Sequence, residues 1–115
     1  MAIEVSLDIT ADPPVTCNPS TKDKPAAASA IDWRRATGQT FTFSDVDFGS
    51  GVTCFANKQV HAHSITVEDN NANGVAAGDY PYTITVELNG TIYSSQKSSN
   101  PTDDGSSPII RNQPA

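Results

Sequence analysis

The run GDYPYTITVELNGTIY, residues 78–93, decides the fold. Tyr80, Tyr82, Ile84, Val86 and Leu88 alternate with Pro81, Thr83, Thr85 and Glu87, which puts the apolar set on one face of an extended strand. Asn89-Gly90 follows. That pair suits a two-residue type I′ turn, whose central residues both need positive φ. The turn sets the pairing: Leu88 opposite Thr91, Val86 opposite Tyr93 and Ile84 opposite Ser95. Tyr93 therefore joins the core face, while Ile92 lies beside Glu87 on the other.

Outward from this hairpin the chain repeats the pattern. Ile3, Val5, Leu7 and Ile9 alternate with Glu4, Ser6 and Asp8, reading as a first strand that Asp12-Pro13-Pro14 ends. Val15 to Cys17 reads as a short edge strand, and Asn18-Pro19 and Lys24-Pro25 mark a surface connection. Ala26 to Ala30 reads as loop running into a strand with Ile31 and Trp33 inward, Trp33 being the largest core anchor. Gln39 to Phe43 alternates aromatics with threonines. Val52 to Phe55 reads as a short or bulged strand, Val60 to Val67 as a longer one, and Pro108 to Arg111 as the last. The polar run Lys97 to Ser107 reads as a mobile loop. About seven to eight short strands separated by regular turn signals predict an all-β fold, a two-sheet antiparallel β-sandwich forming one domain over residues 1–115.

Composition agrees. A chain of 115 residues with 37% hydrophobic content can enclose one core without metals or disulfides. The formal charge of −6 opposes a nucleic-acid partner, which needs clustered Lys and Arg, whereas Arg34-Arg35 is the one adjacent basic pair. No apolar run has the length of a membrane span, and the alternating N-terminus does not resemble a signal peptide, so a cytoplasmic location is expected. In that reducing setting Cys17 and Cys54 are expected as free thiols, one disulfide being the alternative.

Two motifs suggest metal chemistry. His61-Ala62-His63, read within a strand, places two imidazoles on one face roughly 7 Å apart, able to chelate zinc, copper or nickel if a neighbouring strand supplied a third ligand. The same spacing also fits the wet end of a strand. Asp69-Asn70-Asn71-Ala72-Asn73-Gly74 matches the first half of a calcium loop, with Asp69, Asn71 and Asn73 as oxygen ligands and Gly74 allowing the turn. Tyr80 stands where the bidentate Glu belongs, and the same residues suit a plain strand-connecting turn. Catalytic signatures are absent: there is no nucleophile elbow, phosphate-binding glycine loop or dinucleotide fingerprint. Cys54 with His61 or His63 could make a nucleophile and base, and Asp45 with Asp47 a carboxylate pair, but the latter flank Val46 as solvated side chains do. A non-enzymatic chain is expected.

Several landmarks recur in one order: Asp12-Pro13, Ile31 to Trp33, Phe41-Thr42-Phe43, Ile65-Thr66-Val67-Glu68-Asp69-Asn70-Asn71, Gly78-Asp79-Tyr80-Pro81-Tyr82-Thr83-Ile84-Thr85-Val86 and Pro108-Ile109-Ile110-Arg111-Asn112. Together they resemble small bacterial proteins of cupredoxin-like or immunoglobulin-like sandwich fold, of the DP-EP type. The resemblance implies that fold and no established activity. Tyr80 stands where immunoglobulin-like folds carry a tyrosine corner, its hydroxyl bonding back to nearby backbone. The chain departs from copper-binding members of the fold, since Met1 is its one methionine and both histidines lie mid-chain. The expected function is protein–protein interaction or self-association, as a homodimer, through an exposed edge such as Ile3 to Ile9, with neither nucleic acid nor membrane as partner. The alternative is a metal-binding module using calcium at the Asp69–Gly74 loop or zinc or another transition metal at His61/His63.

Overall fold

A computed structural model describes residues 2–96 and 107–115. Most of the expected Lys97–Ser107 loop thus lies outside the described residues. In chain order the strands are β1 (Ile3–Leu7), β2 (Val15–Asn18), β3 (Thr21–Lys24), β4 (Ala28–Arg35), β5 (Thr42–Asp47), β6 (Phe55–Val60), β7 (Ser64–Asn70), β8 (Gly78–Pro81), β9 (Thr83–Leu88), β10 (Thr91–Ser94) and β11 (Ile109–Asn112). A short 3-10 turn, Ala72–Gly74, is the one helical element among the described residues. The fold is all-β. A five-stranded sheet has the order β2-β1-β4-β7-β6, and two three-stranded sheets have the orders β10-β9-β5 and β3-β11-β8.

The hairpin register is as the turn dictates: Thr91 faces Leu88, Tyr93 faces Val86, and the Ser95 N–H donates to the Ile84 carbonyl at 3.0 Å. Asn89 and Gly90 have φ of 53° and 81°, the left-handed values a type I′ turn needs. The expected strand through Tyr80 to Leu88 is, however, divided. β8 pairs with β11 and β9 with β5 and β10, with Tyr82 at the crossing, where its N–H donates to the Pro108 carbonyl at 3.0 Å. The alternation continues across the break, so Tyr82, Ile84 and Val86 are all buried.

Three other expectations are corrected. β1 stops at Leu7, leaving Ile9 59% exposed. The cause is local: the Asp8 carboxylate accepts the Thr10 N–H at 3.0 Å, and the Asp8 carbonyl accepts the Ala11 N–H at 3.0 Å, which turns the chain before Ile9 can extend the strand. Pairing is not uniformly antiparallel, because β1–β4 and β11–β3 run parallel. After β2 the chain leaves the five-stranded sheet to supply β3 and returns as β4, the kind of long crossover that a parallel pair requires. Finally, β1 lies between β2 and β4 and so is not an exposed edge.

All three sheets contribute to one core. Ile3, Val5, Ile31, Trp33, Ile65 and Val67 come from the five-stranded sheet, Phe43, Val46, Ile84 and Val86 from the second, and Ile110 from the third. This is compatible with a sandwich of packed sheet faces. Trp33 is fully buried and donates its Nε1–H to the Tyr82 hydroxyl at 3.1 Å, so its one polar group is satisfied. Phe43 and Val46 both face inward although three apart, an odd spacing made possible by a bulge in β5.

Candidate functional site

His61 and His63 do not share a strand face. Val60 of β6 pairs with Ile65 of antiparallel β7, so the chain must reverse between them. The His61 N–H closes the turn on the Ser64 carbonyl at 2.8 Å, and both histidines are exposed in it. The expected Val60–Val67 strand is therefore two strands and a turn.

Asp69 and Asn71 continue the inward parity of Ile65 and Val67, and both are buried, at 1% and 0% exposure. Asn71 is fully engaged. Its Nδ2 donates to the carbonyls of Pro25 and Gln113 at 3.1 and 3.0 Å, and its Oδ1 accepts the Ala76 N–H at 3.0 Å. Asn73, with φ of 56°, is exposed in the 3-10 turn. The three oxygen ligands expected for calcium thus have three different surroundings. Among the described residues no group of three or more His, Cys, Asp or Glu is placed to hold a metal ion.

What surrounds Asp69 instead is a polar seam between sheets. Asn112 of β11 donates Nδ2–H to Asp69 Oδ1 at 3.0 Å and to the Ala76 carbonyl at 3.2 Å. Both partners are acceptors, which fixes the amide orientation. Ser29 of β4 lies directly across from Asp69. Lys24 of β3 is buried and donates from Nζ to the Ala30 carbonyl at 3.1 Å. Burial raises the Asp69 carboxyl above its ordinary value, with the Asn112 hydrogen bond and the Lys24 charge pulling the other way. Burial likewise lowers Lys24, and Asp69 opposes that shift. Sequence reasoning missed this seam because Lys24 and Asn112 lie far from Asp69 along the chain. The parity of Ser29 with Ile31 and Trp33, and of Asp69 with Ile65 and Val67, was the available signal.

The possible catalytic pairs are not assembled. Cys54 lies in a cleft of about 340 Å³ lined by Val52, Asn70, Val75, Ala76 and Tyr80, and burial raises its thiol, which disfavours a thiolate. The length of β6 separates it from His61. Asp45 pairs with Lys58 at 2.7 Å, and Asp47 accepts the Gly49 N–H at 2.8 Å, so each carboxylate has its own partner. Both cysteines are free, and burial drives the Cys17 thiol up to about 11.

Sheet edges differ more than clefts do. β2 is bracketed by Pro14 and Pro19, β3 carries Lys22 and Lys24, and β8 contains Pro81. β5 and β6 are bulged and charged. Edge strand β10, Thr91-Ile92-Tyr93-Ser94, has no charge, proline or bulge, and its Ile92 is 53% exposed. No family model and no curated protein matches the chain. No helix among the described residues is long and apolar enough to cross a membrane.

Proposed function

We propose that the chain is a non-enzymatic interaction module that pairs with a second copy of itself through edge strand β10. The observation that carries this reading is the contrast between edges. Charges, prolines and bulges are the devices by which sheet proteins blunt unwanted pairing, and β10 lacks them. In a two-residue hairpin Thr91 and Tyr93 bond to β9, so the N–H and C=O groups of Ile92 and Ser94 point to the side where no strand among the described residues pairs. Two copies of β10 meeting antiparallel would join two three-stranded sheets about a two-fold axis, with the Ile92 side chains adjacent. The net charge of −6 opposes close approach of two copies, and an uncharged strand is where that repulsion is least. We also read the architecture as a cupredoxin-like or immunoglobulin-like sandwich. Its support is the Tyr80 hydroxyl, which donates to the Ala76 carbonyl at 2.9 Å in the manner of a tyrosine corner.

Sedimentation equilibrium over a wide concentration range tests the association. The wild type should show a monomer–dimer equilibrium, and Ile92→Lys should weaken it at least tenfold without lowering the melting temperature. A wild type that stays monomeric throughout, or an Ile92→Lys variant that dimerises equally well, would overturn the proposal.

A further inference from the structure

The seam between β7, β4, β3 and β11 contains three buried oxygens with no hydrogen-bond partner among the described residues: Asp69 Oδ2, Asn112 Oδ1 and Ser29 Oγ. Asn112 Oδ1 only accepts, and an ionised Asp69 Oδ2 only accepts, so neither can satisfy the other. The Ser29 hydroxyl, across the β4–β7 pair, bonds to neither of them. Lys24 already brings a positive charge to the same carboxylate, which disfavours a metal cation beside it. A single proton on Asp69 meets the need without adding a second cation.

We propose that Asp69 is a proton-operated fastener between sheets: its protonated carboxyl pairs with the Asn112 carboxamide, accepting Nδ2–H at Oδ1 and donating Oδ2–H to Asn112 Oδ1. Ionisation breaks the second bond and loosens β11 from β7. The groups facing Asp69 are Lys24 from β3, Ser29 from β4, Asn112 from β11, and Cys54 and Tyr80 from the adjoining cleft. Lys24 favours the ionised form, and burial, the larger effect, favours the neutral one. A carboxyl held above its ordinary 3.8 binds more protons folded than unfolded. Its contribution to stability is therefore fully present below 3.8 and is lost as pH rises through the folded value.

Asp69→Asn replaces the neutral acid by an amide of the same shape, able to accept at Oδ1 and donate from Nδ2. The carboxyl ¹³C resonance of wild-type Asp69 should titrate with a midpoint above 3.8. The wild-type melting temperature should fall as pH rises through that midpoint, and Asp69→Asn should lack this fall. At pH 7 the variant should melt no lower than wild type and should show slower amide exchange in β11. A midpoint at or below 3.8 overturns the proposal. So does an Asp69→Asn variant that is less stable than wild type at pH 7, since the attraction between the ionised carboxylate and the nearby Lys24 charge would then be what the seam uses. Unchanged β11 exchange removes the fastener, and a rise in wild-type melting temperature with Ca²⁺ at pH 7, absent from Asp69→Asn, assigns the oxygens to a cation instead.

Discussion

Asn71 shows how one carboxamide can hold three separate pieces of backbone. It reaches Pro25 before β4, Gln113 after β11, and Ala76 in its own loop, with no exposure to solvent. Asn71→Ala takes the partner from the Gln113 carbonyl and the Ala76 N–H, each costing about 1–3 kcal/mol when left unpaired, while the Pro25 carbonyl keeps the Ala27 N–H at 2.8 Å. Urea denaturation should therefore show a loss of at least about 2 kcal/mol. Tyr80→Phe is the useful contrast. It also removes a bond to Ala76, but that carbonyl keeps the Asn112 amide as a donor, so the same measurement should give about 1 kcal/mol. The Tyr80 hydrogen bond was legible in the sequence because its acceptor lies four residues upstream. The role of Asn71 was not. Its side-chain acceptors lie 46 and 42 residues away, and the D-x-N-x-N-G pattern that suggested calcium consists of residues that any tight turn also selects.

Elements were readable where their cause is local. The β9–β10 hairpin follows from Asn89-Gly90, and its register needs no partner beyond itself. Gly90 has φ of 81°, and a Cβ there would meet nothing within 4 Å. Gly90→Ala should therefore cost only the left-handed backbone strain, about 1 kcal/mol by thermal melting, with the strand pairing kept. A loss several times larger would mean that the loop contacts something beyond the hairpin. Alternation did not reveal where a strand changes sheets. Tyr80 to Leu88 keeps one period throughout, yet β8 and β9 belong to different ladders, because period fixes the face and not the neighbour. For the same reason Val60 to Val67 looked continuous: a turn at His61–His63 is visible only once β6 is seen to pair with β7.

At the scale of the molecule, three hydrogen-bonded sheets are joined chiefly through side chains. The all-β class was legible from composition and period, whereas the parallel β1–β4 and β11–β3 pairs were not, since long-range order leaves no mark on local pattern. Ile110 tests whether the ladders behave as one unit. It is fully buried in β11 and belongs to the same cluster as Trp33, which sits in a different sheet. Ile110→Ala should cost about 2–5 kcal/mol through lost burial and an unfilled cavity. For a domain of this length that is a fall in melting temperature on the order of 10 °C. Trp33 is the chain's one tryptophan, so its fluorescence reports the five-stranded sheet, while far-UV circular dichroism reports all strands. A shared core requires both signals to move together by the same amount, because the β3-β11-β8 sheet could not melt without exposing the residues packed around Trp33. If circular dichroism instead shifted in part while the Trp33 transition stayed in place, that sheet would be a separate folding unit, and the Asp69–Asn112 seam would be its hinge.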